Sequence, residues 1–317
     1  MLSNLQIPPQ DLVSPERLIR SLYQDQGRSQ AEIGRILRVQ GQTVNRWLIR
    51  LNIPLRSQAD SVSLAVTKYE VSPCDATPLE RAYLLGLRAG DLHAQIHGRR
   101  VRVSVGTTHP GMASLFESTF SRYGRVRRYP KYNDVSGYHW CYYVDLHPTF
   151  GFLLKKPRTV PDWVLRYETL FFAFLAGYFD AEGCISFDLR DGNEAVRCIL
   201  NSCDLHILRS VSSRLKGMGF DLNLKLVSEA GTHDLNSDFW GMGLGRREQV
   251  VRFLDRMGLR HPEKVTKANL VRFLAANDWK EGWSEAKTVR VAIRQEVLKF
   301  KGEAEQQLAG KSLPRLN

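Results

Sequence analysis

Two acids are set apart by what precedes them. Asp91 closes the stretch LERAYLLGLRAGDLH (79–93), Glu182 closes TLFFAFLAGYFDAEGC (169–184), and the two lie 91 residues apart. Each stretch reads as an apolar helix ending in a carboxylate. Each also carries small residues four apart, Gly86 with Gly90 and Gly177 with Ala181, a spacing that lets two helix backbones approach closely. Leu84, Leu87, Phe174 and Phe179 fill the other faces. Side-by-side packing with adjacent C-terminal ends would put each carboxylate at the negative end of a helix dipole and opposite a like charge. Both effects oppose ionisation, and a divalent cation reverses them. Two carboxylates suit Mg2+ or Mn2+ completed by water and phosphate oxygens. Either acid alone also fits a solvated helix end; its repetition in the same setting is what argues for chemistry.

The repetition continues downstream. After the first motif, Arg100, Arg102 and Ser104 alternate with Val101, Val103 and Val105, which predicts a strand with one apolar and one basic face. A helix over 111–124, a strand over 125–132, a turn at Asn133–Gly137 and a strand over 138–146 follow. In the second copy, Ile185, Phe187 and Leu189 alternate with Ser186, Asp188 and Arg190. Next come a strand over 195–202, a helix over 205–219, a strand over 221–228 with Leu222, Leu224 and Leu226 inward, and a strand over 238–245. Gly124 and Gly219 are expected to end the two helices equivalently. Between 95 and 131 the cations Arg99, Arg100, Arg102, Arg122, Arg125, Arg127, Arg128 and Lys131 stand against one acid, Glu117. A strand face of one sign suits phosphate contact and groove entry. Arg190 and Lys225 are the candidates from the second copy.

LLGLRAGDL (84–92) and LAGYFDAEG (175–183) resemble the two signature motifs of monomeric LAGLIDADG homing endonucleases. The first departs from the pattern, with Ala89 at the first acid and Leu92 at the final glycine. Both keep the acid that ligates metal in the family, here Asp91 and Glu182. The resemblance covers about residues 79–280. It implies an α+β fold of two pseudo-symmetric αββαββα repeats in a monomeric chain, forming a saddle over double-stranded DNA. It further implies a Mg2+- or Mn2+-dependent double-strand cut in a long target, leaving 3′ overhangs, as in intron mobility. A family lysine before a late helix maps to Lys264 in HPEKVTKANL (261–270), and its first-copy counterpart to Lys155, or Lys156, in FLLKKP.

A separate module precedes the repeats. PERLIRSLYQ (15–24), SQAEIGRIL (29–37) and QTVNRWLIRL (42–51) read as three helices. Ser29 and Glu32 form a capping box, and Gly34 stands where two helices cross. Ile33, Leu37, Val39, Val44 and Leu48 are the expected core. The segment resembles a helix-turn-helix, which would present Gln42, Thr43, Asn45, Arg46 and Arg50 to the major groove.

The expected organisation is therefore a helix-turn-helix module over 1–58, a linker over 59–78, repeats over 79–158 and 159–280, and a C-terminal helix and tail over 281–317. The 317 residues carry 45 Lys and Arg against 33 Asp and Glu, a net charge of +12 that favours a polyanionic partner. Five cysteines without a CxxC pair speak against a disulfide framework or zinc cluster. The first residues lack the apolar stretch of a secretory signal, and LFFAFLAGYF (170–179) is too short to span a bilayer. An intracellular protein found with DNA and away from membranes is the expectation. The alternative is a transcriptional regulator or intron-splicing maturase that keeps the fold without cutting.

Overall fold

The computed structural model describes residues 15–58, 60–61, 69–188, 195–232, 236–277 and 283–312. They form two compact units, one built from residues up to Tyr69 and the other from Glu70 onward, the His97–Arg99 turn excepted.

The first unit is helical. Helix α1 (Pro15–Arg20) runs into one π turn at Ser21–Asp25, followed by α2 (Gln30–Ile36) and α3 (Gly41–Arg50). Ser29 caps α2, its hydroxyl accepting from the Glu32 N–H while the Glu32 carboxylate accepts from the Ser29 N–H. A Cβ at Gly34 would lie 2.6 Å from the Val39 carbonyl oxygen, so glycine is what lets α2 touch the turn into α3. Arg38 in that turn has φ 55°. Ile19, Leu22, Tyr23, Ile33, Val44, Leu48 and Ile53 form a core of their own.

The second unit repeats one element order twice. The first repeat is α4 (Pro78–Ala89), β1 (His93–His97), β2 (Arg100–Thr107), α5 (Pro110–Phe120), β3 (Arg127–Asn133), β4 (Gly137–Leu146), a 3-10 turn and α6 (Asp162–Leu165). The second is α7 (Glu168–Glu182), β5 (Gly183–Asp188), β6 (Ala195–Ser202), α8 (Leu205–Gly217), β7 (Lys225–Ser228), β8 (Phe239–Leu244) and α9 (Arg247–Arg256). Helices α10 (Pro262–Ala276) and α11 (Trp283–Ser312) follow. The sheets have equivalent orders, β1-β2-β4-β3 and β5-β6-β8-β7. This is the paired αββαββα architecture that the motifs imply. The short strand β1 was not foreseen. Nor is Leu226 inward, being 38% exposed, because β7 is irregular between Leu226 and Ser228. Gly219 does adopt φ +78°, whereas Gly124 is fixed by the Asp145 carbonyl oxygen, 2.9 Å from where its Cβ would sit.

One continuous apolar core joins both repeats. Alternate residues of each sheet face it: Val101, Val103 and Val105 with Tyr142, Val144 and Leu146 in the first, Ile185, Cys198 and Leu200 with Met242 and Leu244 in the second. The helices α4 and α7 lie at its centre. Helix α7 is buried around most of its circumference, as its run of aromatic and aliphatic residues requires. A Cβ at Gly86 would lie 2.0 Å from the Phe174 carbonyl oxygen, and one at Gly177 would lie 2.0 Å from that of Tyr83. Gly86 and Gly177, like Tyr83 and Phe174, are 91 positions apart, so the contact is its own image under the internal pseudo-two-fold. Helix α11 straps the repeats together. Trp283 and Ala286 pack with Leu270 and Leu274 of α10, and further along Trp140 Nε1 of β4 donates to the Phe300 carbonyl at 3.0 Å.

Replacing Gly177 with Ala should cost about 3 kcal/mol or more, because the new methyl meets backbone that has no side chain to move aside. At Gly151, where a Cβ meets nothing within 4 Å, the same change should stay within about 0.5 kcal/mol. Denaturant unfolding of the two variants distinguishes them; equal midpoints would show that α4 and α7 do not make this contact.

Candidate active site

The glycine contact brings the ends of α4 and α7 together. Helix α4 stops at Ala89, Gly90 follows, and Asp91 stands in the turn into β1; Glu182 is the last residue of α7. A Cβ at Gly90 would lie 2.4 Å from the Ala181 Cβ and 3.4 Å from Glu182 Oε1. Only glycine there lets the Glu182 carboxylate come up against the Asp91 turn. Both acids hold their protons more tightly than usual. Burial raises Glu182 to about 7, with the neighbouring Asp91 charge adding to it and Lys156 opposing. Burial also raises Asp91, against Lys264, Lys156 and His109.

Two carboxylates crowded in this way form a hard-oxygen donor pair that a divalent cation would neutralise. Among the described residues no cluster of three or more His, Cys, Asp or Glu forms a metal cage. A pair of carboxylates is an oxygen donor set of the kind Mg2+ or Mn2+ accepts, with water and phosphate oxygens completing the coordination.

A third carboxylate, Asp180, is fully buried in the last turn of α7. It accepts from the Tyr83 hydroxyl at 2.6 Å and from the Arg260 N–H at 2.8 Å. Arg260 lies over the Tyr83 ring and forms a two-pronged pair with Glu80. The first-repeat position matching Asp180 is Ala89, so this clamp exists on one side only. Sequence reading noted Ala89 as a departure and missed the clamp; the buried apolar setting of Asp180 was the signal available.

Lys264 corrects an expectation. It lies in the first turn of α10 and is 8% exposed. Its ammonium donates to the carbonyls of Phe179 at 2.7 Å, Asp180 at 2.6 Å and Ala181 at 3.4 Å. All three donors thus go to the C-terminus of α7, and none is left to orient a water. In the first repeat Arg88 has the comparable task, donating to the Leu92 and Leu153 carbonyls, both at 2.7 Å. The expectation for Lys155 also shifts. Lys155 points into solvent, while Lys156 pairs with Asp204 at 3.1 Å and acts electrostatically on both motif acids. On the other side His109 pairs with Glu263 at 3.2 Å, and Glu263 with Lys267 at 2.6 Å. These pairs hold Glu263 low, at about 2.

The strand cations divide by register. Arg127, Tyr129 and Lys131 of β3 lie across from Tyr143, Cys141 and His139 of β4, on the face turned away from the core. Arg102 shares that face, yet it is not a free phosphate ligand: Asp145 of β4 takes its guanidinium through two bonds of 2.8 and 2.9 Å. Arg100 is only 9% exposed. Arg128 points to the opposite side, donating to the Tyr142 hydroxyl and stacking over Trp140. Arg99 and Arg125 are exposed outside the β3–β4 ladder. In the second sheet Lys225 is exposed, Arg190 lies outside the described residues, and Arg197 of β6 is an exposed cation that sequence reading passed over. On α3, Gln42, Arg46 and Arg50 are exposed and Thr43 is half-buried. Asn45 is drawn back, its side-chain oxygen accepting from Gln30 at 3.0 Å.

No protein-family profile and no curated protein matches the chain. Solved structures do. The homing endonuclease I-WcaI bound to its DNA recognition sequence aligns with a TM-score of 0.43 at 16% identity, over 68% of this chain and 96% of that one. I-DmoI in complex with DNA and Ca aligns with a TM-score of 0.39 at 16% identity, over 57% of this chain and 89% of that one. Full-length DUF199/WhiA from Thermatoga maritima aligns with a TM-score of 0.42 at 13% identity, over 70% of each chain. Proteins with the LAGLIDADG architecture thus stand among the structures similar to this chain, and its function is read from its own residues.

Proposed function

We propose that this chain is a site-specific endonuclease that binds double-stranded DNA and cuts both strands with the help of a divalent cation. The observation that carries this reading is the meeting of Asp91 and Glu182 at the ends of two helices related by internal pseudo-symmetry. Burial raises both acids, and the charge of Asp91 raises Glu182 further. Folding gains nothing from placing two carboxylates there, whereas binding a cation beside a phosphate does. When bound, the cation would neutralise the pair and polarise the phosphodiester. The protein residues supply the rest. Asp91 and Glu182 hold the cation, and Lys156 adds positive potential beside both. Lys264 and Arg88 fix the helix ends that carry the acids. Arg127, Lys131 and Tyr129 on the outer face of the first sheet, with Lys225 and Arg197 on the second, are the cations and aromatic proposed to meet the duplex. Gln42, Arg46 and Arg50 of α3 are proposed to read base edges beyond it. Among the described residues no helix is long and apolar enough to cross a membrane.

A second reading, a DNA-binding regulator without cleavage, draws support from Lys264. Its ammonium donates to three α7 carbonyls, which gives it a structural task that needs no phosphate. One experiment separates the two. Duplexes are selected for binding from a random-sequence library, then incubated with the protein in Mg2+ or in chelator. Cutting of both strands only with Mg2+ supports the endonuclease; a selected duplex that is bound and never cut in Mg2+ or Mn2+ supports the regulator.

Asp91→Asn and Glu182→Gln should each lower single-turnover cleavage of the selected duplex by about 10²-fold or more while leaving affinity within a few-fold. A variant that cuts at the wild-type rate would remove that acid from the site.

Glu182 also predicts a pH effect. Its proton is held more tightly in the folded than in the unfolded chain, since its value rises from 4.5 to about 7. The associated stability is present below pH 4.5 and is lost as pH climbs through about 7. In chelator at pH 8, Glu182→Gln should therefore melt above wild type, and Mg2+ should raise wild type alone. A Glu182→Gln melting point at or below wild type would contradict the upward shift of Glu182.

Lys264→Met should cost about 3 kcal/mol or more in stability, as it leaves the α7 carbonyls unpaired and Asp180 without its nearby cation. Thermal melting reads this directly. A variant that melts normally and cuts slowly would return Lys264 to the chemistry.

A further inference from the structure

The two repeats build one turn twice and place different chemistry on it. At the end of β2 the Thr107 hydroxyl accepts from the His109 N–H at 2.9 Å. At the end of β6 the Ser202 hydroxyl accepts from the Asp204 N–H at 3.1 Å. His109 is the N-cap position of α5, and Asp204 that of α8. The two residues are thus structural equivalents. Each pairs with a residue near the end of the other repeat: His109 Nδ1 with Glu263 Oε2 at 3.2 Å, and Asp204 with Lys156 at 3.1 Å. The sign of the pair is reversed between the repeats.

The imidazole side has a geometry suited to proton transfer. Glu263 sits next to Lys264 at the start of α10, and Lys264 is bonded to the end of α7. His109 is thereby tied, through Glu263 and the neighbouring Lys264, to the end of α7 that carries Glu182 and meets Gly90. Glu263 accepts from Nδ1, which fixes the tautomer with the Nε2 lone pair outward. Nε2 has no hydrogen bond among the described residues, and the side chain is 48% exposed. The equivalent Asp204 is a carboxylate tied to an ammonium, a much weaker base.

We propose that the two strands are cut in chemically unequal surroundings, with His109 as the proton acceptor for the water that attacks one of the two phosphodiesters. The inference rests on the endonuclease reading. In the step, the water oxygen bonds to phosphorus, the P–O3′ bond breaks, and the water proton passes to Nε2. The departing 3′ oxygen takes a proton from solvent, and His109 later returns its own to solvent. Glu263 is a positioning residue that acts through the imidazole. Cleavage of the other strand meets Asp204 at the equivalent place, has no imidazole there and proceeds without this acceptor.

The test is single-turnover cleavage of the selected duplex, each strand separately labelled, with full-length wild type, His109→Ala and Glu263→Gln. His109→Ala should slow one strand by about 10²-fold or more, leave the other strand and the affinity within two- to three-fold, and accumulate nicked product. Added imidazole should restore the slow strand, which a residue that merely shapes the turn would not allow. Glu263→Gln should slow the same strand by a smaller factor. Equal slowing of both strands, or a slow strand that imidazole does not rescue, would overturn the proposal. Wild type that binds the duplex and cuts neither strand would instead overturn the endonuclease reading, and this proposal with it.

Discussion

The close approach of α4 and α7 is the constraint on which the rest of the second unit depends. Where a glycine hydrogen faces a carbonyl across the helix pair at both Gly86 and Gly177, the axial register is fixed. Sliding either helix by one residue would drive a side chain into backbone. The register in turn fixes the ends, so that Gly90 meets Ala181 and Glu182. The free energy that holds the acids near each other comes from elsewhere, from the aromatic and aliphatic side chains that surround α7 in the common core. At roughly 1.5–3 kcal/mol for each large apolar side chain fully buried, that core can sustain a locally unfavourable arrangement of charge.

The charge arrangement is also tempered from within. An apolar helix that ends in the interior leaves carbonyls unpaired, and α7 adds the buried Asp180 to them. Lys264 answers both, donating to three α7 carbonyls while its charge lies beside Asp180. Arg88 closes the α4 side with bonds to Leu92 and Leu153. The cations nearest the acids are therefore structural first. They stabilise the negative ends of the two helices, and Lys264 also keeps Asp91 from rising further.

How much of this was legible in the sequence follows from the range of each interaction. The motif acids, the paired small residues and the repeated element order rest on local spacing, and the fold could be read from them. The capping box at Ser29 is local too. What was missed depends on partners distant in the chain. Asp145 cancels Arg102 across a ladder from 43 positions away, and nothing near Arg102 announces it. Arg128 is part of a correct strand assignment, but a strand at a sheet edge can offer both faces to solvent, so alternation did not say which face was which. Lys155 and Lys156 differ only in direction, which the 3-10 turn and its exit determine. Lys264 was found by motif register, while its partners at the end of α7 came from tertiary packing.

The symmetry itself holds at the level of backbone and fails at the level of side chains. Close helix approach, the hydroxyl-capped turns at Thr107 and Ser202, and the sheet orders are duplicated because each is a packing solution that both repeats must satisfy. Side chains at equivalent positions differ, buried ones included: Ala89 against Asp180, Tyr83 against Phe174, His109 against Asp204. The sheets differ likewise. The outer face of the first has Tyr129, Tyr143, Arg127 and Lys131, whereas the second sets Arg197 and Lys225 around Gly241 and Gly243, which lie beside Ile199 and Asn201. A Cβ at Gly241 would lie 2.4 Å from the Asn201 side-chain oxygen and 2.8 Å from Val227, so this face is kept small by packing as well as by composition. In the endonuclease reading, two faces so different in aromatic content and relief would not favour the same base sequence. A duplex that satisfied both would have unlike halves, and the internal two-fold of the protein would orient it without requiring a palindrome.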